Sequence, residues 1–257
     1  MQRYFITPEQ FGSAGVVITG NDAHHLTKVM RMKPGDKIIV GDGRGKEALV
    51  RISGLEPGLV AADIIEMFAS GQESEWLVTV AQSMPKGDKM ETVIQKGTEI
   101  GAASFVPFQS ERMIVAYDAK KEAKRLERWA KIAKEAAEQA HRSVVPAISP
   151  VHSWKQLLDH ISAYDLTLFC YEKEGGTASS GLKGVLAEFA AKAGNAQPPN
   201  VLLIVGPEGG FTEREAEEAV SRGAKLVGLG KRILRTETAA LVGLTCIMYE
   251  SGEMGGG

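Results

Sequence analysis

The sequence predicts an α/β protein in which a small β-barrel precedes a larger domain built on a parallel sheet. In residues 1–70, short β-type runs are separated by Gly, Pro and Asp, the pattern of strands joined by tight turns. After Trp76, apolar runs alternate with segments of helical period, which favours a parallel sheet covered by helices on both faces. The polar segment 69–75 is typical of a linker. We therefore expect domains at 1–70 and 74–257.

Five strands and one helix are predicted in the first domain. The strands are RYFI, VVITG, DKIIVGDG, KEALVRISG and GLVAADIIEMF. The segment VGDGRGKE, between the third and fourth strands, is typical of a hairpin because glycine adopts positive φ at little cost. Only NDAHHLTKVMRM has helical character, and Asn21 or Asp22 is the expected N-cap.

The second domain is predicted to alternate strands with helices. Strands are expected at WLVTVAQSM, SFVPF, DLTLFCY, NVLLIVG and AKLVGLG, and helices at GDKMETVIQKGTEIG, residues 118–142, SWKQLLDHI, GVLAEFAAKAG, FTEREAEEAVSRG and TETAALVGLTCIMYE. The 118–142 helix carries an apolar stripe for its inner face, formed by Leu126, Trp129, Ala133, Ala136, Ala137 and Ala140. The last helix is apolar almost all round, so we expect it to be buried.

Composition narrows the class of protein. Hydrophobic residues make up 44% of the chain and charged residues 24%, values typical of globular proteins with a core. A net charge of −2 gives no overall basic footprint for nucleic acid. No apolar stretch is long enough to span a bilayer, and the N-terminus lacks the apolar region of a signal peptide. Cys170 and Cys246 are isolated, so we expect buried free thiols, no metal site and a cytoplasmic protein.

A glycine-rich loop follows one buried strand, in VLLIVGPEGGFTEREAEEAV (201–220). Thr212 and Glu215 fit a capping box that opens the next helix. The loop matches neither the P-loop nor the dinucleotide fingerprint, and Glu208 would repel a phosphate. A loop that exposes backbone beside a carboxylate suits a ligand without phosphates and with a cationic part. S-adenosylmethionine is one such ligand, and spacing alone leaves others open.

A second unusual loop, GLGKRILRTETAAL (228–241), links another strand to the last helix. Thr236 is the expected cap of that helix. Ligands of open parallel sheets bind beyond the carboxyl ends of the strands. We therefore expect Arg235, Thr236 and Glu237 to lie at such an edge, beside the first loop.

Together these motifs resemble those of a known family. IVGPEGGFTEREAEEA and GLGKRILRTETAA are similar to the paired signatures of the 16S ribosomal RNA (uracil-N3)-methyltransferase family (RsmE). That family belongs to the SPOUT class of S-adenosylmethionine-dependent RNA methyltransferases. KGDKMETVIQKGTEIG (86–101), RWAKIAKEAAEQAHR (128–142) and HHLTKVMRMKPGD (24–36) agree with it. The resemblance covers essentially the whole chain.

The resemblance implies more than the residues show by themselves. The first domain would be a PUA-like RNA-binding barrel, and the second a SPOUT-type domain with a trefoil knot, an exception among protein chains. The enzyme would be a homodimer with sites near its interface, acting on 16S ribosomal RNA within the 30S subunit. S-adenosylmethionine would be lined by Gly206, Pro207, Glu208 and Gly209 and covered by Leu229, Gly230, Ile233 and Leu234.

Two residues are candidates for the chemistry of N3 methylation. The N3 proton of uracil is weakly acidic, so N3 is a poor nucleophile at neutral pH, and either a general base or an environment that favours the imidate anion is needed. Arg235 would stabilise negative charge on a uracil carbonyl oxygen, and Glu237 would act as the base. Both hypotheses rest on the position of these residues at a helix start beside the glycine loop.

Basic residues in both domains are candidate RNA contacts, because phosphate contacts supply most of the affinity. Lys28 and Arg31 are expected on one helical face. Residues 112–142 carry nine basic and five acidic side chains, which favours a solvated helix face. The candidate RNA contacts are Arg3, His25, Lys28, Arg31, Arg44, Lys86, Lys89, Arg112 and Arg142.

Three alternatives stay open at this point. A non-catalytic RNA-binding protein would bind no S-adenosylmethionine. A nucleotide-dependent enzyme is disfavoured by Glu208 and by the missing Lys-Ser/Thr pair. Another SPOUT enzyme would act on transfer RNA or on a ribose 2′-hydroxyl.

Overall fold

A computed structural model of the chain describes residues 1–69, 73–114, 119–171, 181–192 and 198–255. They form two compact units: Met1–Glu73 with Ala137–Val145, and Ser74–Ala136 with Pro146–Gly257. Residues 137–145, which the sequence assigned to the second domain, thus belong to the first. The reason is backbone pairing, since Val145 N–H donates to the Gly43 carbonyl (3.0 Å) and Gly45 N–H to that of Ser143 (3.2 Å).

The first unit is built on a mixed five-stranded sheet of order β1-β3-β4-β5-β2. Its strands are β1 (Arg3–Phe5), β2 (Gly15–Thr19), β3 (Lys37–Gly41), β4 (Lys46–Glu56) and β5 (Leu59–Ala69). All five predicted strands are present. Only β1 and β3 pair in parallel, and the other neighbours are antiparallel. The inward-facing residues form one apolar core, with Ile18, Leu26, Ile38, Val50 and Val60 fully buried.

The predicted helix of this unit is shorter than its sequence suggests. Helix α1 (Gly20–His24) continues into one π-helical turn, His25–Val29. The predicted caps Asn21 and Asp22 are wrong, because β2 runs directly into Thr19 and the helix begins at the next residue. Arg31 lies beyond the helical turn with a φ of 53°, so Lys28 and Arg31 do not share one helical face.

The second unit contains a six-stranded sheet of order β11-β9-β10-β6-β7-β8, parallel throughout. The predicted parallel sheet is therefore confirmed, with the short strand β8 as an addition. The strands are β6 (Leu77–Ser83), β7 (Ser104–Phe108), β8 (Ala147–Ile148), β9 (Leu166–Cys170), β10 (Asn200–Val205) and β11 (Lys225–Val227). The helices are α2 (Lys89–Ile100), α3 (Glu122–Gln139), α4 (Trp154–His160), α5 (Gly181–Lys192), α6 (Glu213–Ser221) and α7 (Thr236–Glu250).

Helix α7 is buried on one side only. It packs on α2, α5, β6 and β10, and its buried residues include Ala240, Gly243, Leu244, Ile247 and Met248, while Thr245, Cys246 and Tyr249 are exposed. The prediction of a helix buried all round is wrong because no element of the described chain covers the opposite side.

The two cysteines have different surroundings. Cys246 is exposed and Cys170 half-buried, so the prediction of two buried thiols is wrong. Burial raises the pKa of the Cys170 thiol to about 12. The stripe on α3 follows the prediction at Trp129 and at Ala133, Ala136 and Ala137. Within the described residues, no helix combines the length and apolar character needed to cross a bilayer.

Candidate functional site

A cleft of about 780 Å³ opens at the carboxyl edge of the parallel sheet. It lies between two loops, residues 206–212 after β10 and residues 228–235 after β11, with the end of β9 between them. All eight predicted cofactor residues line it, together with Arg235: they are Gly206, Pro207, Glu208, Gly209, Leu229, Gly230, Ile233 and Leu234. The structure thus brings both motifs into one concave site, although their strands are not adjacent.

The glycines of the two loops are required for two different steric reasons. Gly210 and Gly230 adopt φ values of 67° and 108°, which side chains rarely tolerate. A Cβ on Gly206 would lie 2.9 Å from the Phe211 ring, and one on Gly209 would lie 3.0 Å from the Arg112 carbonyl oxygen. The glycines therefore keep this wall of the cleft as bare backbone.

The first loop ends in the predicted capping box. Thr212 precedes α6 with extended backbone, its hydroxyl accepts from the Glu215 N–H (3.2 Å), and the Glu215 carboxylate accepts from the Thr212 N–H (2.8 Å). This reciprocal pair sets the direction in which the chain leaves the cleft.

A buried hydrogen-bond chain joins the two loops. The Thr236 hydroxyl donates to the Gly206 carbonyl (2.6 Å), and the Gln82 side-chain amide donates to the Thr236 hydroxyl (2.8 Å). The prediction that Thr236 caps α7 is wrong, because Arg235 holds the N-cap position and Thr236 is the first helical residue. Sequence reasoning missed Gln82, whose only signal is a polar residue at the end of an apolar strand.

Replacing Thr236 by valine should lower the free energy of unfolding by about 1–3 kcal/mol. The Gly206 carbonyl would keep only a 3.3 Å bond from Gln82. Urea unfolding of the purified protein measures the change. The matched control is Thr245→Val, since the exposed Thr245 hydroxyl bonds only to Leu241 of its own helix. Equal losses in the two variants would contradict a role for Thr236 in joining the loops.

Lys89 forms ion pairs with two carboxylates, that of Glu208 in the cleft and that of Glu237 beside it. Its Nζ lies 2.8 Å from Glu208 and 3.5 Å from Glu237. The hydrogen bond to Glu208 is the main reason why the pKa of Lys89 is raised. Burial alone would raise the pKa of Glu208, but hydrogen bonds from Lys89 and the Lys86 N–H outweigh it, so that pKa is lowered. The charge of Glu208 is thus compensated, which weakens the sequence argument that this carboxylate repels phosphate.

The two candidate catalytic residues occupy different positions. Arg235 is exposed and lines the cleft. Glu237 is the second residue of α7, is mostly covered, and points to Lys89. Glu237 is not among the residues that line the cleft. The structure therefore brings Arg235 into the site and places Glu237 beside it.

Two of the nine residues predicted to contact RNA are buried rather than exposed. Arg3 and Arg142 are buried in the first unit, where Arg3 pairs with Glu47 and Arg142 with Glu73. Their guanidinium groups stabilise the fold because they are enclosed with carboxylates. Lys89 and Arg112 line the cleft. The remaining candidates are exposed: His25, Lys28, Arg31, Arg44 and Lys86. In the described part of the chain, no group of three or more His, Cys, Asp or Glu could hold a metal ion.

Each of the two units matches a known protein family. The RNA methyltransferase domain family matches residues 72–248, and the RNA methyltransferase PUA domain family matches residues 18–65. A ribosomal RNA small subunit methyltransferase E of Bacillus subtilis is 44% identical, over 98% of this chain and 97% of the relative. The crystal structure of such an enzyme from Neisseria gonorrhoeae, bound to S-adenosylmethionine, is 32% identical with a TM-score of 0.82 and covers 97% of both chains. A methyltransferase from Legionella pneumophila with the same cofactor is 29% identical, with a TM-score of 0.82 and 96% coverage of both chains.

Proposed function

This chain belongs to the ribosomal RNA small subunit methyltransferase E family of RNA methyltransferases, and on that basis we propose that it uses S-adenosylmethionine to methylate N3 of a uridine in the decoding region of 16S ribosomal RNA. The observation that carries the proposal is the cleft in which both glycine-containing loops meet. The family supports RNA methylation, and the choice of N3 and of the decoding region rests on the motif resemblance.

The residues of the cleft fit S-adenosylmethionine. A volume of about 780 Å³ lies within the usual range for small-molecule sites. Bare backbone at Gly206 and Gly209 allows close approach of a ligand. Ile233, an apolar side chain that is 81% exposed, would cover adenine together with Leu234. The relatives with S-adenosylmethionine bound support the same ligand for this chain.

The chemistry assigns a separate task to each residue. S-adenosylmethionine supplies a methyl group on a positively charged sulfur, so that the N3–carbon bond forms as the sulfur–carbon bond breaks. Arg235 would stabilise the negative charge that the uracil ring acquires on losing its N3 proton, and Glu237 would receive that proton. Base assistance contributes about 10²–10⁴-fold. Positioning by the loops is worth about 7–11 kcal/mol and is the larger contribution.

The proposed partners follow from the same premise. His25, Lys28, Arg31 and Arg44 are exposed on the unit that contains the PUA match and would contact RNA phosphates. The 30S subunit is the proposed substrate particle, and the cytoplasm the place of action. A homodimer would cover the exposed side of α7 around Tyr249. We also propose the trefoil knot, which the bond between Thr236 and Gly206 would hold together.

Methyl transfer to unmodified small-subunit ribosomal RNA tests the proposal. We expect calorimetry to detect binding of S-adenosylmethionine by the purified protein, and mass spectrometry to find one 3-methyluridine after incubation. Free 16S RNA and 30S particles from a strain lacking the enzyme are compared as substrates. Absence of cofactor binding would identify a non-catalytic RNA-binding protein. Methylation of a ribose, or of transfer RNA alone, would overturn the proposed position or substrate.

A further inference from the structure

A second cavity of about 680 Å³ lies in the second unit. One wall is formed by residues 84–91, which connect β6 to α2, and the other by the first turns of α3. We call it the basic groove. It adjoins the cleft through consecutive residues, since Lys89 lines the cleft and Met90 the groove. A polymer that enters the cleft could therefore continue into the groove.

Basic side chains outnumber acidic ones among the residues that line the groove. Four basic side chains line it against two acidic ones. Arg128 is paired with Glu91 at 2.7 Å. Arg125 differs, because its Nη1 atom is buried and has no hydrogen-bond partner within the described part of the chain. Arg125 is half-buried and lines the groove, so a turn of its side chain toward a bound anion would give this unsatisfied donor an acceptor.

The floor of the groove is apolar. Met84, Met90 and Trp129 line it, and each is at most 5% exposed. An apolar floor under a cationic rim suits a ligand that combines a flat ring with a negative charge. Nucleotides of single-stranded RNA have this character, since their bases stack on apolar and aromatic side chains while cations contact the phosphates.

We propose that the basic groove binds one nucleotide of the substrate RNA close to the methylated one, with a phosphate on Arg125 and the base over Met90 and Trp129. This inference rests on the proposed RNA methyltransferase function and deepens it. The sequence analysis interpreted the charged residues of α3 as a solvated helix face, and the proposal gives some of them a function in RNA binding. Continuity with the cleft favours RNA over an acidic peptide or a free anion as the occupant.

The test compares Arg125→Gln with Lys131→Gln, using an unmodified 16S RNA transcript or the 30S particle as probe. Lys131 lies on the same helix, is exposed, and pairs with Glu135, so the control removes the same charge outside the groove. We expect Arg125→Gln to weaken RNA binding by about tenfold and to reduce the slope of log K against log salt by about 0.7–0.9. Affinity for S-adenosylmethionine should stay unchanged in both variants.

A second measurement keeps the inference testable if Arg125→Gln folds poorly. Photocrosslinking of wild-type protein to RNA carrying 4-thiouridine beside the target should yield peptides containing residues 84–91 or 121–129. If the two variants bound RNA with equal affinity, or if crosslinks were confined to other peptides, the proposed RNA contact in the basic groove would be overturned. The proposed methyltransferase function would stand. If Arg125→Gln bound an acidic peptide or inorganic phosphate more weakly than the wild type but bound RNA equally well, the proposed nucleotide site would also be overturned. A wild-type protein that neither binds nor methylates RNA would refute both proposals.

Discussion

Replacing Arg235 by alanine is expected to slow the chemical step of methyl transfer by about 10²–10³-fold, the usual effect of removing one group that stabilises developing charge. Arg235 lines the cleft and occupies the N-cap of α7, so its side chain is available to a uracil oxygen. Single-turnover methylation with both substrates saturating measures the step directly. Affinity for S-adenosylmethionine should change little, because the proposed adenine contacts come from other residues.

Arg222→Ala is the control for this experiment. Arg222 is exposed and pairs with Asp159 outside the cleft, so its loss should leave the methylation rate within about twofold. Arg235→Lys keeps the charge but not the planar fork and should recover part of the rate. If Arg235→Ala loses cofactor affinity while the chemical step keeps its rate, the role of Arg235 lies in binding.

The same assay tests the proposed base. Glu237→Gln should lower the rate by about 10²–10⁴-fold at neutral pH, because an amide cannot accept the N3 proton, and the loss should shrink towards pH 9 as hydroxide removes that proton instead. A wild-type rate at every pH would exclude Glu237 as the base. Glu99→Gln serves as the control, because Glu99 pairs with Lys96 outside the cleft and the change removes a carboxylate that is not the proposed base.

The largest effect on stability is expected for Glu73→Ala, about 3–5 kcal/mol for breaking a buried ion pair. Glu73 accepts from the Arg142 side chain (2.6 Å) and from the backbone N–H groups of Ser143 (2.8 Å) and Val144 (3.0 Å). Its loss would leave the buried Arg142 guanidinium without this carboxylate. Hydrogen exchange of amides in β1–β5 reports on the first unit separately. Glu188→Ala removes an exposed pair with Lys192 and should cost less than about 0.5 kcal/mol.

The stabilisation by Glu73 should depend on pH. Burial would raise the pKa of Glu73, but hydrogen bonds from Arg142, Ser143 and Val144 outweigh it, so the folded pKa lies below the ordinary value. The contribution is therefore complete above the unfolded pKa of about 4.3 and disappears as the pH falls through the lower folded pKa. The difference between wild type and Glu73→Ala should shrink at about pH 3. The pKa of Glu47 is raised mainly by burial and to a smaller extent by the charge of Glu73, so Glu47 is coupled to this titration and its pKa is raised less in the variant. A difference independent of pH would contradict this assignment.

Local patterns in the sequence predicted most elements correctly. The five strands of the first unit, the parallel sheet and the Thr212–Glu215 capping box follow from features within a few neighbouring residues. The predicted caps Asn21, Asp22 and Thr236 were wrong, because strand β2 and the Gly206 carbonyl decide where those helices begin. The burial and pairing of charged side chains were the least predictable properties, because the neighbouring sequence does not distinguish a surface arginine from one enclosed with a carboxylate.

By itself, the sequence determined which segments are strands and helices, where the glycine loops lie, and which family the motifs resemble, because periodicity, turn chemistry and motif spacing are local properties of the chain. The tertiary structure decided which distant residues meet. It joined Gln82 to Thr236 and Gly206 and enclosed Arg3 and Arg142. Among the described residues, it left one side of α7 uncovered and placed a buried Arg125 nitrogen without a hydrogen-bond partner beside an apolar floor. Burial and hydrogen-bond partners depend on contacts between segments far apart in the chain, and those contacts arise only when the sheets assemble.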